Sequence, residues 1–366
     1  MKKNVLIITG SRADFGLLES TIKYLVISKK LESKVLATGM HTLESYGKTV
    51  NDISLRGIHV DFVVSVSEDG NMLKWLCEEI EGISVYCSEN KIDCIVVLGD
   101  RDEALAGAIV AGHLGIPLAH IHGGDVTGAG TVDHQIRNAI TQFASYNFTA
   151  TKKSAERVMK MREKKHIYVV GAPGMDLVKD IPFSSKEKLA QKLSLLEDLP
   201  WIVILLHPVY LDKNWSVEMQ ITNVFNAVNT IKAEKIWIFP NSDTGSEKFI
   251  QQLEKYRFSK IHFFSNLRRD DFINLLKQAK VLIGNSSAGI IESTFFNLPV
   301  VNIGDRQKGR EKSSNVIQTD YNVPNIVNAI KIASSDKFSN KCKKIKKIYG
   351  DGSAGKKIVK MLEKYL

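Results

Sequence analysis

The chain has 366 residues, 44% of them hydrophobic and 25% charged, a composition that suits a globular protein long enough for two cores of ordinary domain size. The opening MKKNVLIITG has an apolar run too short for a signal peptide, and no segment has the uninterrupted apolar length of a membrane span, so a cytoplasmic protein without a membrane anchor is expected. Cys77, Cys87, Cys94 and Cys342 form no C-x-x-C pair, which disfavours a zinc site, a disulfide frame and redox chemistry.

Taken in chain order, the β-rich apolar runs NVLIITG, KVLATG, VDFVVSV, DCIVVLGD, PLAHIHG, YNFTAT and HIYVVGA alternate with stretches of helical length, the pattern of a doubly wound parallel sheet. After DIPFSSKEKLAQKL the pattern restarts with WIVILLHP, KIWIFPN, IHFFSN, KVLIGNSS and PVVNIGD. The reading is an α/β chain of two Rossmann-like domains, residues 1–176 and 177–349, with a last helix within 350–366 packing back on the first and a ligand cleft between the two. The formal net charge of +10 suits an anionic ligand. The densest basic run, KCKKIKKIYG at 341–350, carries Ile345 and Ile348 at helical spacing and reads as a solvated helix face, and no nucleic-acid motif accompanies it. GDGSAGKK at 350–357 imitates a phosphate-binding loop, but it follows no strand and Lys357 stands where Ser or Thr is required, so it reads as a turn into the last helix.

Ligands of such sheets bind beyond the carboxyl ends of the strands. There the sequence places TGSRADFG, LGDRDEAL, HIHGGD, LLHPVY, FPNSDTG, GNSSAGIIES and GDRQKGR. Arg12, Arg101, Arg306 and Arg310 bring guanidinium forks, while Ser286 and Ser287, ahead of a helix expected from Ala288, offer hydroxyls and free N–H groups: equipment for a diphosphate.

All of these strand-end motifs but LLHPVY, with HIHGGD extended to AHIHGGDVTGAG, and with YGDGSAGKKIVKML as the seventh, resemble in order and over essentially the whole chain the hydrolysing UDP-N-acetylglucosamine 2-epimerases of sialic-acid and related nonulosonic-acid biosynthesis. The resemblance implies a glycosyltransferase-B-like fold, a UDP-sugar in the cleft, a homodimer, and neither a metal nor a redox cofactor. It implies that Arg12, Arg101, His207, Asn241, Ser286, Ser287, Glu292 and Arg306 meet the nucleotide diphosphate, with Glu292 on the ribose. It also implies a reaction that removes UDP by anti elimination across C1 and C2, giving a 2-acetamidoglucal, and then adds water to release the free 2-epimeric sugar. Asp100, Asp133 and the residue at 122 match the acid/base positions, His207 lies near the phosphates, and Arg137 matches a family arginine close by.

The commoner pattern is HIEGGE, whereas this chain reads HIHGGD. The histidine form resembles the branch acting on a 2,4-diacetamido-2,4,6-trideoxy sugar nucleotide, on the route to legionaminic acid. A neutral imidazole accepts a proton at neutral pH without special tuning, so His122 and Asp133 are the acid/base candidates and Asp125 a supporting carboxylate. A metal site would need several of His113, His120, His122, Asp125, Asp133 and His134 to converge. His120 and His122 are expected on one face of a strand and His113 at a helix end, with His120 packed in the core. A glycosyltransferase of the same fold, or a non-catalytic UDP-sugar-binding module, would have no use for Asp100, His122 and Asp133 together.

Overall fold

A computed structural model of the chain describes residues 1–126, 132–163, 165–210, 212–239 and 246–366. They form two compact units, Met1–Val178 joined by Tyr349–Leu366, and Lys179–Ile348.

The first unit carries strands β1 (Lys3–Thr9), β2 (Leu31–Ala37), β3 (Phe62–Val63), β4 (Cys94–Leu98), β5 (Leu118–Ile121), β6 (Tyr146–Thr149) and β7 (Ile167–Val169). All pair in parallel in the order β3-β2-β1-β4-β5-β6-β7. Between them run helices α1 (Arg12–Val26), α2 (Val50–Leu55), α3 (Met72–Glu89), α4 (Asp102–Leu114), α5 (Val132–Phe143) and α6 (Lys152–Met161). Alternate residues of β1 face opposite cores. Val5 and Ile7 pack with Leu18, Ile22 and Leu25 of α1, whereas Leu6 and Ile8 pack with Ile83 of α3 and Ala104 and Ala108 of α4.

The second unit repeats the plan with β8 (Trp201–Leu205), β9 (Glu234–Ile238), β10 (Ile261–Phe264), β11 (Val281–Gly284), β12 (Val300–Ile303) and β13 (Val316–Thr319), all parallel in the order β10-β9-β8-β11-β12-β13. Its helices are α7 (Lys186–Leu193), α8 (Val217–Asn229), α9 (Ser246–Glu254), α10 (Arg269–Gln278), α11 (Glu292–Phe296), α12 (Val323–Ser334) and α13 (Asp336–Cys342). β13 is absent from the sequence reading because its segment, Val-Ile-Gln-Thr, is short and only half-buried at the sheet edge. In both units the strand order reverses beside the first strand, at β1/β4 and β8/β11, which makes those paired strand ends the expected ligand crevice of each sheet. Gly284 ends β11 with φ 133°, and a Cβ there would sit 2.0 Å from the Leu205 carbonyl oxygen, so only glycine lets the two strand ends come this close.

The last helix, α14 (Ala354–Tyr365), belongs to the first unit: Ile358, Val359 and Leu362 complete the core beside α1. Its first turn explains the imitation phosphate loop. The Ala354 and Gly355 N–H groups donate to the two carboxylate oxygens of Asp176, at 2.9 and 2.6 Å, and Ser20 donates to the same carboxylate at 3.1 Å. The anion position of this helix N-terminus is thus filled by the chain's own carboxylate. The lysine-rich run departs from its expected form. α13 ends at Cys342, and Lys343, Lys344, Lys346 and Lys347 project from an exposed irregular turn, not from a helix face.

Candidate active site

In the first unit the polar residues gather where β1, β4 and β5 end. β5 stops at Ile121, and His122 turns off it with φ 66°, a left-handed conformation costing a non-glycine residue on the order of 1–2 kcal/mol. The expectation that His120 and His122 share a strand face therefore fails: the backbone twists between them. His120 is fully buried, its Nε2 2.8 Å from the Gly99 carbonyl and its Nδ1 3.2 Å from the Thr141 hydroxyl, and burial pushes its pKa down to about 4. It braces the ends of β4 and β5 as a neutral ring. His113 lies in the last turn of α4, as expected.

The strained turn at His122 is held from both sides. Its N–H donates to the Phe148 carbonyl at 2.9 Å, and its carbonyl accepts from Arg137 Nη1 at 3.0 Å. Arg137, buried on α5, gives its Nη2 to Asp100 at the end of β4. The His122 Nδ1 lies 2.8 Å from an Asp125 carboxylate oxygen, and the other oxygen accepts the Ser154 hydroxyl at 2.6 Å. Burial alone would raise the Asp125 carboxyl, but the His122 bond and charge, the Arg137 charge and the Ser154 hydroxyl hold it well below the usual carboxylate range. Asp100, His122, Asp125 and Arg137 thus form one connected set. Asp133 stands at the exposed first turn of α5, where partial burial and then the neighbouring Asp100 charge push its carboxyl upward, a setting for a proton donor. Among the described residues no three His, Cys, Asp or Glu side chains meet as a metal-ligand group.

Arg12 and Arg101 flank this set. Arg12 opens α1 and is exposed, with Nε and Nη2 both on Asp52, at 3.0 and 2.7 Å. Arg101 is the residue before α4 and reaches Glu103 through Nε at 3.1 Å. Behind them lie Asp14, Glu79 and Glu103, buried carboxyls that the sequence reading does not single out. Burial, then the charges of Glu103 and Asp102, pushes Glu79 up to about 9, and burial with Asp14 pushes Glu103 up to about 7 against the pull of Arg101. From its ordinary 4.5 up to about 9, folded Glu79 holds a proton that the unfolded chain has lost, so its contribution to stability falls as pH rises through that window. Glu79→Gln, which copies the protonated carboxyl, is expected to be more stable than the parent at pH 8 by on the order of 1–3 kcal/mol, with a smaller gain at pH 5, measured by urea unfolding. A gain that is the same at both values would contradict the assignment.

In the second unit, Asn285 ties the switch point together. Its side chain accepts from the His207 N–H at 2.7 Å and donates to the His207 carbonyl at 2.8 Å, while its own carbonyl receives Arg306 Nη1 at 3.2 Å and Gln307 Nε2 at 2.9 Å. The loop after β8 and the Arg306 loop are thereby fixed on one buried amide. Ser286 caps a 3₁₀ turn of Ser287–Gly289, and α11 begins only at Glu292. The expected helix from Ala288 is therefore a broken one, and the loop offers an anion two hydroxyls and turn N–H groups, not a helix dipole. Glu292 carries one carboxylate oxygen without a hydrogen-bond partner among the described residues, and burial raises its carboxyl. Arg310 acts on it only through its charge, with Arg269. Asn241 lies outside the described residues.

The model of the UDP-N-acetylglucosamine 2-epimerase family matches residues 25–363. The chain belongs to this family. Of its epimerase relatives, the hydrolysing UDP-N,N'-diacetylbacillosamine 2-epimerase of Legionella pneumophila is 34% identical, the match covering 99% of this chain and 96% of the relative. The UDP-N-acetylglucosamine 2-epimerase of Neisseria meningitidis serogroup B is also 34% identical, over 91% and 88%. The crystal structure of the Methanocaldococcus jannaschii UDP-GlcNAc 2-epimerase in complex with UDP-GlcNAc and UDP superposes with a TM-score of 0.79 at 19% identity, covering 98% of this chain and 99% of that one, a likeness in fold. The epimerase family that the seven motifs resemble and the glycosyltransferase-B-like class of the two sheets both hold. Ser154 is a polar partner of the Asp100–Arg137–His122–Asp125 set that no motif announces. It lies 29 residues beyond Asp125 and reaches it only because β5 and β6 are neighbours.

Proposed function

We propose that the protein is a hydrolysing UDP-sugar 2-epimerase, converting a UDP-2-acetamido sugar to the free 2-epimeric sugar and UDP in nonulosonic-acid biosynthesis. The observation that carries this is the connected set Asp100–Arg137–His122–Asp125 at the ends of β4 and β5, beside Asp133. In the elimination, the C2 proton passes to a base while the C1–O bond breaks and its electrons leave on the diphosphate. In the addition, water gives its hydroxyl to C1, and C2 takes a proton on the opposite face. Both half-reactions need a base, an acid and cations on the diphosphate. His122 and Asp133 supply the first two, Arg137 orients Asp100 and the His122 turn, and Arg12, Arg101 and Arg306 with Ser286 and Ser287 supply the diphosphate's partners. His207 and Asn241 serve the phosphates and Glu292 the ribose. A glycosyltransferase of the same architecture would leave the Asp100–His122 set without work.

Two relatives of equal identity are named for different sugars, so the substrate reading leans on His122, whose form favours the 2,4-diacetamido-2,4,6-trideoxy sugar over N-acetylglucosamine. Incubation of the purified protein with UDP-GlcNAc and with its 2,4-diacetamido analogue, followed by identification of the released sugar, tests the proposal, and release of neither free sugar would overturn it. Arg12→Ala and Arg306→Ala are each expected to weaken UDP binding by about 1.5–3 kcal/mol in calorimetry, the worth of a charge-assisted hydrogen bond. Unchanged affinity in both would place the diphosphate elsewhere. No described helix is long and apolar enough to cross a membrane. A cytoplasmic homodimer completes the proposal, and light scattering of the purified protein tests the dimer.

A further inference from the structure

We infer that Thr151, Ser154 and Asp125 form a positioning relay that holds the His122 ring with its proton on Nδ1, leaving Nε2 as the one ring atom able to take a proton from substrate. The inference rests on the assignment of His122 to proton transfer above, and adds which nitrogen acts and what fixes it.

The direction of every hydrogen in the relay can be worked out. Thr151 caps α6, its hydroxyl oxygen accepting the Ser154 N–H at 3.2 Å. The two hydroxyls lie 3.0 Å apart, and Ser154 gives its own hydrogen to Asp125 at 2.6 Å, so the Thr151 hydroxyl is the donor of the pair. Asp125 ends the chain with one oxygen on Ser154 and the other 2.8 Å from His122 Nδ1. A carboxylate only accepts, so the hydrogen in that last contact belongs to Nδ1. Thr151, Ser154, Asp125 and His122 are 2%, 2%, 8% and 7% exposed, which keeps water from competing for these bonds.

The backbone is built for the same purpose. Gly124 has φ 73°, and a Cβ there would lie 2.3 Å from the Ser154 carbonyl oxygen, so the second glycine of HIHGGD lets the turn press directly on the first turn of α6. Arg157 of the same helix holds the Gly124 carbonyl through Nη1 at 2.9 Å. The left-handed His122, clamped by Phe148 and Arg137, then has its ring orientation set, among the described residues, by Asp125. This is the logic of an aspartate that orients a catalytic histidine, where Asp→Asn traps the wrong tautomer at a cost in turnover of about 10⁴ in a serine-protease triad. Asp125 and Ser154 are positioning residues here, since Asp125 touches the His122 ring, Ser154 touches Asp125, and the assigned proton transfer runs through the ring.

The test combines ring-nitrogen NMR of ¹⁵N-histidine-labelled protein with steady-state kinetics, the His122 signal being identified by its loss in His122→Gln. In the parent protein His122 is expected as the Nδ1–H tautomer. Asp125→Asn, whose amide donates to Nδ1, is expected to shift it to Nε2–H, to lower kcat about 10²–10³-fold and to change KM less than about threefold. Ser154→Ala should keep the tautomer and lower kcat about three- to tenfold, the net worth of one hydrogen bond. An Nε2–H tautomer in the parent protein, or an Asp125→Asn protein that keeps Nδ1–H, would overturn the relay, as would a tautomer change without loss of kcat. If Asp125→Asn fails to fold, the parent tautomer and Ser154→Ala still decide. The tautomer is a property of the protein alone, so failure of the epimerase proposal, seen as no released sugar, is distinguishable from failure of the relay.

Discussion

His122→Ala is expected to lower turnover by roughly 10²–10⁴-fold, the usual worth of a general acid or base, while UDP affinity stays within about twofold. The separation follows from geometry: the His122 ring is tied to Asp125 and its backbone to Phe148 and Arg137, while the His207 and Arg306 loops assigned to the nucleotide are held within the second unit by Asn285. Alanine would also deprive the buried Asp125 carboxylate of its ring donor, leaving one oxygen without that hydrogen bond, so some loss of stability should accompany the loss of rate. His122→Glu separates two roles. If the ring shapes the pocket for a 4-acetamido, 6-deoxy sugar, the glutamate enzyme retains activity and its kcat/KM ratio moves toward UDP-GlcNAc, since a site that hydrogen-bonds one substituent rejects analogues lacking it. Parent-like turnover in His122→Ala would remove the proton-transfer role, and an unchanged substrate ratio in His122→Glu would remove the specificity role.

Arg137→Met should cost about 3–5 kcal/mol of stability by urea unfolding, the cost of breaking a buried ion pair from one side, toward the lower figure because the Asp100 side chain is still 18% exposed. The loss has two parts. Asp100 gives up its buried guanidinium, and the strained His122 carbonyl gives up the donor that holds the left-handed turn. Turnover should fall with stability, whereas Arg137→Lys keeps the charge but cannot reach both acceptors with a fork, and should recover stability more fully than rate. A Met variant within 1 kcal/mol of the parent would show that the pair contributes nothing.

The sheets were legible because their strands are apolar on both faces and their polar residues cluster at one end, a pattern that needs no tertiary information. Edge strand β13 was not, since its exposed face breaks the apolar run. At the site, strand-end position announced Asp100, His122 and Asp125. It did not announce the conformation of His122, because left-handed backbone is usually signalled by Gly or Asn at the position itself and here is imposed by Arg137 and Phe148 from elsewhere in the fold. Ser154 was invisible for a related reason: its partner is set by which strands lie side by side, and spacing along the chain carries no trace of that. The helix expected from Ala288 came from reading Ser286 and Ser287 as hydroxyls at a helix N-terminus, where the chain makes only one tight turn before α11.

The placement of α14 beside α1 bears on how the chain matures during synthesis. Leu18, Ile22 and Leu25 of α1 are made first, yet the side chains that cover them include Ile358 and Leu362, and Asp176 receives its two backbone donors only from Ala354 and Gly355. The second unit, contiguous from Lys179 to Ile348, has all its strands before those residues leave the ribosome. The usual amino-terminal-first order of domain folding is thereby inverted. The unit that begins first finishes last, and its apolar α1 face waits through the making of an entire second sheet, an interval in which a chaperone has more to protect than in a protein whose domains are sequential.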